Sequence, residues 1–160
     1  MIFVAVGSQF PFDRLVRAVD ESLGRNGFPY EVFGQIGHTS FKPRHFQSVP
    51  LMPHARFMEA IEKSEGVVSH AGVGIILTCL ELGVPILVMP RRAVHGEVVN
   101  DHQVGTATRL AQAGRILMAR DENELIELLP ELPGFAGSRR PRRAEGVPQR
   151  IRDFLTEVDP

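Results

Sequence analysis

A short segment in the middle of the chain combines glycines and a histidine in a pattern that could hold a phosphate. Val67 and Val68 run into Ser69-His70-Ala71-Gly72, and a helical pattern starts at Val73 with Gly74 next to it. Backbone N–H groups of the turn and of the helix start would converge on one point, which favours an anion. Glycine leaves room for a phosphate, and the imidazole can donate a hydrogen bond to it. The alternative to a phosphate site is a tight structural turn in which His70 forms its hydrogen bonds within the protein.

Two common nucleotide-binding signatures are absent from the sequence. The turn after the first apolar run, Val6-Gly7-Ser8, contains one glycine, so the chain lacks the G-x-G-x-x-G pattern of dinucleotide sites. It also lacks the G-x-x-x-x-G-K-[ST] pattern of NTPases. Gly7 and Ser8 either turn their backbone towards a ligand or form an ordinary turn.

Polar side chains also follow two later apolar segments. Glu81 lies near the end of a mostly apolar helix, where its carboxylate reaches solvent, pairs with a cation or accepts from hydroxyls such as those of a ribose. A polar loop after the next strand carries Arg91 and the run Asn100-Asp101-His102-Gln103. Amide and carboxylate groups at this spacing suit a polyhydroxylated ligand, whereas the alternative is a solvated loop capped by Asn100 or Asp101.

The composition excludes several other functions. The 160 residues carry a net charge of -1 and include a single cysteine, Cys79. A near-neutral chain does not favour non-specific nucleic-acid binding. One cysteine excludes a disulfide framework and a thiolate metal cluster and suits a reducing compartment such as the cytoplasm. No apolar run is long enough to span a bilayer, and we expect no bound metal and no cofactor.

The order of apolar patterns predicts the elements that would position these residues. Short apolar runs alternate with amphipathic helical stretches, which indicates an α/β fold with a parallel sheet and helices on both faces. The predicted strands are 2–6, 30–33, 46–49, 66–69, 86–89 and 115–118. The predicted helices are 12–23, 54–63, 73–82, 103–113 and 121–129. Helix 73–82 is apolar nearly all round, so we expect it to be largely buried.

The end of the chain differs in composition from the rest. We divide the sequence into a domain over 1–132, a basic linker rich in Pro, Gly and Arg over 133–149, and a C-terminal amphipathic helix over 150–160. The terminal helix carries one apolar stripe: Ile151, Phe154, Leu155 and Val158. Such a stripe either anchors a helix in the groove of a partner or packs back on its own domain.

Four motifs taken in order resemble a known family. They are Ser69-His70-Ala71-Gly72-x-Gly74, Glu81-Leu82-Gly83-Val84-Pro85, Val88-x-Pro90 and Asn100-Asp101-His102-Gln103. Together they are similar to the C-terminal, donor-binding half of GT-B glycosyltransferases of family 28, over about residues 1 to 130. The resemblance implies a single Rossmann-like GT-B lobe that binds a UDP-sugar as substrate, inversion at the anomeric carbon and no obligatory metal.

A complete GT-B enzyme has two lobes, and this sequence supplies one. It therefore resembles the stand-alone catalytic subunits of split transferases, such as the small subunit of the dolichol-pathway N-acetylglucosaminyltransferase and those of bacterial exopolysaccharide transferases, including glucuronosyltransferases. The resemblance implies a membrane-associated partner that binds a lipid-linked acceptor and contributes the general base. The subunit would then be cytoplasmic and peripheral to the membrane. A non-catalytic nucleotide-sugar-binding protein and a relative of UDP-sugar 2-epimerases are the alternatives.

The resemblance also implies roles for individual residues. His70, Gly72 and Gly74 would hold the diphosphate, with His70 stabilising the leaving group, and Glu81 would hold the ribose. Gly7, Ser8, Ser69 and Ala71 would complete the surface around the donor.

The polar loop would serve the other end of the donor. Asn100, Asp101 and Gln103 would contact the sugar or its diphosphate. Arg91 would either pair with the carboxylate of a glucuronic acid donor or face a phosphate. The sequence leaves open which sugar is transferred, which acceptor is used and whether the isolated chain forms homo-oligomers.

Overall fold

Strands and helices alternate along the chain in a computed structural model that describes residues 1–25 and 28–137, without the side chain of His102. The strands are β1 (Ile2–Ala5), β2 (Val32–Gln35), β3 (Gln47–Val49), β4 (Gly66–His70), β5 (Ile86–Met89) and β6 (Leu117–Met118). The α-helices are α1 (Asp13–Gly24), α2 (His54–Glu62), α3 (Val73–Leu82), α4 (His102–Gln112) and α5 (Glu122–Leu128). Two short 3₁₀ helices cover Ala93–His95 and Leu129–Gly134.

The strands form one parallel sheet in the order β3-β2-β1-β4-β5-β6. The chain builds outward from β1 to β3 and then returns to place β4 on the other side of β1. In this pairing Ala5 lies opposite Ser69. The order of strands therefore reverses between β1 and β4, and the carboxyl ends of these two strands flank a crevice where ligands bind in open α/β sheets.

Helices cover both faces of the sheet because the buried strands are apolar on both sides. Ile2 and Val4 of β1 face one core, which α1 and α5 close, while Phe3 and Ala5 face a second core closed by α2, α3 and α4. The Rossmann-like α/β fold predicted from the sequence is therefore confirmed. None of the helices in the described ranges has the length and apolar character needed to cross a bilayer.

The polar face of α1 holds the connection between β2 and β3. Asp13 accepts hydrogen bonds from the backbone N–H of Ser40 and from its hydroxyl. About two turns later, the buried Asp20 accepts from the backbone N–H groups of Arg44 and His45 at 2.8 and 2.7 Å. These carboxylates hydrogen-bond the backbone of the connection between β2 and β3, so this connection is held against α1 up to the start of β3.

Three sequence predictions differ from the structure. β2 spans Val32–Gln35 instead of 30–33. Glycine is typical of a loop, but Gly34 lies in the strand because the ring of Phe46 packs against it, and a Cβ there would lie 3.0 Å from that ring. β6 is shorter than predicted. Helix α3 is not largely buried: Val73 and Gly74 are exposed because the helix begins at the crevice. Most of the predicted linker and the whole C-terminal helix lie outside the described residues, so the division into 1–132, 133–149 and 150–160 stays a prediction.

Candidate functional site

The two turns that the sequence singled out, after β1 and after β4, meet at the crevice between these strands. His70 ends β4, and its imidazole lies between Gly7, which follows β1, and Gly72. A Cβ on Gly7 would lie 3.2 Å from His70 Nε2, and a Cβ on Gly72 would overlap that nitrogen. Gly72 has an ordinary φ of -75°, so what requires a glycine here is the contact with the ring.

The hydrogen bonds of the buried Ser69 determine which nitrogen of His70 carries the proton. The Ser69 hydroxyl donates to the carbonyl oxygen of Ala5, and its oxygen lies 3.1 Å from His70 Nδ1. A hydroxyl has one proton to donate, so the contact is favourable when Nδ1–H donates to Ser69 Oγ. Neutral His70 then presents the lone pair of Nε2.

The charge state of His70 follows from its surroundings. Burial, followed by the positive charge of Arg91, lowers the pKa of His70 to about 4. The imidazole is therefore neutral near pH 7. Donation from Nε2 to a phosphate oxygen, as the sequence suggested, needs a proton that arrives with the ligand; this role stays a prediction.

Helix α3 begins beside His70 with unsatisfied N–H groups. Its N-cap residue is Gly72, and no side chain in the described part of the chain caps this end. A Cβ on Gly74 would have no atom within 4 Å, so the space above the first turn is open. Uncapped N–H groups at an open helix start are suited to binding an anion.

A cavity of about 480 Å³ extends from this helix start along the carboxyl edge of the sheet. We call it the cleft. Its polar end is formed by Gly7, Ser8, His70 and Gly74. Its other end is largely apolar, and the residues there are Leu51, Met52, Phe57 and Met58, beside His54.

The apolar end of the cleft was missed in the sequence. It is built by the segment between β3 and α2, by the start of α2 and by Gln35 at the end of β2. The buried Gln35 fixes this segment, because its Oε1 accepts a hydrogen bond from the backbone N–H of Met52 at 2.9 Å. The signal in the sequence was the apolar pair Leu51-Met52, which follows the predicted strand 46–49 after Pro50 and therefore lies at the same edge as the glycine turn.

Thr78 and Glu81, both on α3, occupy different positions relative to the cleft. Thr78 lines it, with its hydroxyl donating to the carbonyl oxygen of Gly74 at 2.9 Å. Glu81 is exposed and lies one turn further along the same helix stripe, outside the lining. Side chains on a helix lean towards its N-terminus, so the Glu81 carboxylate has a path back towards Thr78.

The polar loop after β5 does not line the cleft. Arg91 is buried against Phe10 and Phe12, and its backbone N–H donates to Gln103 Oε1 at 3.2 Å. Asp101 accepts from the backbone N–H of Ala93 at 2.7 Å. Asp101 and Gln103 thus hold the loop in shape from within.

The remaining predicted contacts fall beside or behind the cleft. Asn100 is exposed on the polar loop, whereas Ser69 and Ala71 are buried behind the turn. Over residues 1–25 and 28–137, no three His, Cys, Asp or Glu side chains are grouped so that they could hold a metal ion.

Comparison of the sequence with known proteins shows the family to which the chain belongs. Residues 1–132 match the glycosyltransferase family 28 C-terminal domain. The UDP-N-acetylglucosamine transferase subunit ALG13 of Homo sapiens is 32% identical in an alignment over 128 residues that covers 72% of this chain and 10% of that protein. The same subunit of Cryptococcus neoformans is 32% identical over 104 residues, covering 64% of this chain and 48% of that protein.

The fold is also that of a solved relative. The NMR structure of ALG13 superposes with a TM-score of 0.62 at 18% identity and covers 98% of this chain and 95% of that one. The chain spans about a tenth of the human relative and about half of the fungal one.

Proposed function

Because the chain belongs to the family of glycosyltransferase family 28 C-terminal domains, we propose that it is the donor-binding subunit of a glycosyltransferase that uses a UDP-sugar in glycan or polysaccharide assembly. The observation that carries this proposal is the cleft, which joins an uncapped helix start with two glycines to an apolar end of suitable size. A nucleoside diphosphate has the matching order of groups, with a flat base whose face packs on apolar side chains at one end and a diphosphate at the other.

The cleft suggests how the donor would lie. The base would contact Leu51 and Met52, and the diphosphate would bind the N–H groups at Gly72 and Gly74. The ribose would then pass over α3, near Thr78 and the carboxylate of Glu81. The sugar would extend beyond the diphosphate towards the polar loop that carries Asn100.

The proposed chemistry is stabilisation of the leaving group. An acceptor hydroxyl attacks the anomeric carbon while the bond from that carbon to the diphosphate oxygen breaks, which inverts the configuration. The negative charge that develops on UDP is met by the helix start and the turn amides. His70 Nε2 donates to the diphosphate only when a proton has arrived there with the ligand. The acceptor proton goes to a base that we assign to a second lobe. The described lining of the cleft offers no carboxylate, and its two histidines lie elsewhere, His70 beside the proposed diphosphate and His54 beside the proposed base of the nucleotide.

Exposed apolar side chains indicate where that second lobe would bind. The large hydrophobic residues that the described part of the chain exposes all follow the carboxyl end of a strand; they are Phe10, Leu51, Val73, Val94 and Val99. Val94 is 78% and Val99 is 94% exposed on the polar loop after β5. Apolar side chains gathered at one edge are typical of an interaction surface. We assign this edge to a membrane-associated partner that binds the lipid-linked acceptor, which makes the subunit cytoplasmic and peripheral to the membrane.

Calorimetric titration with UDP, ADP, GDP and TDP tests the donor assignment. We expect UDP to bind most tightly and to raise the thermal midpoint of the protein with concentration. If ADP or NAD raised the thermal midpoint and millimolar UDP did not, the donor assignment would be contradicted. Binding of UDP-sugars without transfer in the presence of any membrane would favour a non-catalytic binding protein, and conversion of UDP-N-acetylglucosamine to its 2-epimer would favour an epimerase.

Transfer from radiolabelled UDP-sugars to lipid extracts tests the partner assignment. We expect transfer only when membranes of the source organism are added, and loss of transfer in Val94→Asp/Val99→Asp with unchanged UDP affinity. Gln112→Glu adds a charge at the opposite edge of the sheet and is the matched control. Full transfer by the purified chain alone would exclude a split enzyme.

A further inference from the structure

Arg91, the second residue after β5, is enclosed by the protein, with 3% of its surface exposed. Its Nη2 donates a hydrogen bond to the carbonyl oxygen of Phe10 at 2.7 Å, and its Cζ lies 5.1 Å from the centre of the Phe12 ring. Its Nε is buried without a hydrogen-bond partner. The guanidinium therefore keeps an unused donor, and its charge, inside the protein.

The charge of Arg91 is not neutralised by a neighbouring carboxylate. Within the described residues Arg91 forms no ion pair, whereas Arg14 on the same edge pairs with Glu97 and Glu122. Glu97 acts on Arg91 only from a distance, since its oxygens accept from Arg14 and from the backbone N–H of Arg92. A buried charge that lacks a partner is costly, so this position favours the arrival of an anion.

The position of the guanidinium shows where that anion would bind. A Cβ on Gly7 would lie 3.6 Å from Arg91 Nη1 and 3.2 Å from His70 Nε2. The guanidinium and the imidazole therefore flank the same turn. Gly7 and His70 line the cleft, whereas Arg91 lies behind them.

We propose that Arg91 is the fixed positive charge for the diphosphate of the donor, acting from behind the Gly7 turn, and is not a ligand for a carboxylate on the transferred sugar. The proposal rests on the function proposed above. Arg91 is a positioning residue here, because it holds the Phe10 carbonyl and its charge reaches the ligand through the turn. A carboxylate on the sugar would lie beyond the diphosphate, where this enclosed side chain does not extend.

The state of His70 supports this division of roles. Burial and the Arg91 charge keep the pKa of His70 near 4, so the imidazole brings no positive charge to the empty site at pH 7. Arg91 retains its charge even though burial lowers its pKa from a high ordinary value. In the protein interior, where the effective dielectric constant is low, such a charge acts over several ångströms.

The test compares ligands with and without a diphosphate in two variants. Arg91→Met keeps a long side chain against Phe12 but removes the charge, and Arg91→Lys keeps the charge. UDP, inorganic pyrophosphate and uridine are titrated calorimetrically. We expect Arg91→Met to bind UDP and pyrophosphate at least about 10-fold more weakly and uridine within about 2-fold of the unmodified chain. Arg91→Lys should stay within about 3-fold for all three ligands.

The pKa of His70, followed by NMR, gives a readout that a merely structural role would not move. It should rise in Arg91→Met and stay low in Arg91→Lys. An equal loss of UDP and uridine binding in Arg91→Met, or an Arg91→Lys variant as impaired as Arg91→Met, would overturn the proposal. If Arg91→Met does not fold, the ratio of UDP to uridine affinity in Arg91→Lys decides: a preserved ratio supports the fixed charge and a collapsed ratio overturns it.

The outcomes separate this proposal from the assigned function. If the unmodified chain binds UDP and Arg91→Met binds it equally well, the role of Arg91 fails and the donor assignment stands. If pyrophosphate binding depends on Arg91 but UDP has no advantage over ADP, the charge is correct and the donor assignment fails. If the unmodified chain binds none of these diphosphates, both proposals are overturned.

Discussion

Two arginines approach the same phenylalanine ring, and the protein treats their charges in opposite ways. Arg14 Cζ lies 5.5 Å and Arg91 Cζ lies 5.1 Å from the centre of the buried Phe12 ring. Arg14 forms ion pairs with Glu97 at 2.9 Å and with Glu122 at 3.1 Å, a group that we call the Arg14 cluster. Arg91 has no such pair in the described part of the chain. A charge neutralised inside the protein fixes structure, whereas one left unpaired beside a cleft is available to a ligand.

The Arg14 cluster joins three parts of the fold. Arg14 belongs to α1, Glu122 begins α5, and Glu97 also accepts from the backbone N–H of Arg92 at 2.9 Å. Burial alone would lower the pKa of Arg14, but the hydrogen bonds and charges of Glu97 and Glu122 outweigh it and raise the pKa. The cluster therefore holds the polar loop, and with it the backbone of Arg91, against the sheet.

Breaking the Arg14 cluster gives the largest expected effect. Glu97→Gln removes the better buried of the two carboxylates that neutralise Arg14, since the Glu97 side chain is 9% exposed. Arg14 then keeps only the pair with Glu122, and we expect a loss of about 3 kcal/mol in the free energy of unfolding, at the lower end of the range for a broken buried pair. Glu122→Gln removes a carboxylate that is 41% exposed and should lose less than about 1 kcal/mol. Urea denaturation of both variants measures this. Similar losses for the two variants would mean that the cluster is no more than a surface pair.

The second largest expected effect comes from His70 in the cleft, which should make the free energy of unfolding depend on pH. His70 has a pKa of about 4 when folded and about 6.5 when unfolded, so the unfolded chain binds more protons between these values. Stability contributed by neutral His70 is present above about pH 6.5 and is lost as the pH falls to about 4, up to about 3 kcal/mol. His70→Gln should remove this part of the slope in urea melts at pH 4 to 7, and a slope equal to that of the unmodified chain would contradict the pKa.

Alanine substitutions at Gly72 and Gly74 should distinguish an effect on the free energy of unfolding from an effect on UDP affinity. Gly72→Ala places a Cβ against His70 Nε2, so it should lower the free energy of unfolding by about 1 to 3 kcal/mol and also weaken UDP binding. Gly74→Ala meets no protein atom within 4 Å and should leave stability equal or higher by up to about 1 kcal/mol, while its methyl group weakens UDP binding. Normal UDP binding by Gly74→Ala would show that the diphosphate does not approach this helix start.

The fold was largely predictable because its strands carry continuous apolar runs and its turns carry glycines. β5 and α3 have the predicted bounds, 86–89 and 73–82, and Gly83 ends α3 in the left-handed conformation with a φ of 70°. The predicted position of β2 was displaced, because a glycine such as Gly34 is typical of a loop and the sequence does not show that the ring of Phe46 packs on it.

The site was less predictable, because its parts come from distant segments. The glycine turn at 69–74 is local in sequence and could be recognised there. The apolar end of the cleft needs β2 and β3 to be placed beside β1, which no local pattern specifies. The burial of Arg91 runs against the usual exposure of arginine and depends on Phe10 and Phe12, which lie about eighty positions earlier in the chain.

The smallest expected effect concerns the ribose, where the sequence prediction and the lining of the cleft point to neighbouring residues. The sequence assigns this contact to Glu81, whereas Thr78 lines the cleft one turn earlier. Glu81→Gln should weaken UDP binding by about 3- to 10-fold, because it removes charge-assisted hydrogen bonds to the ribose hydroxyls. Pyrophosphate has no ribose, so its affinity should not change. Glu127→Gln, an exposed carboxylate of α5, is the matched control. If Glu81→Gln binds UDP normally and Thr78→Val does not, the ribose contacts Thr78 and the assignment to Glu81 is wrong.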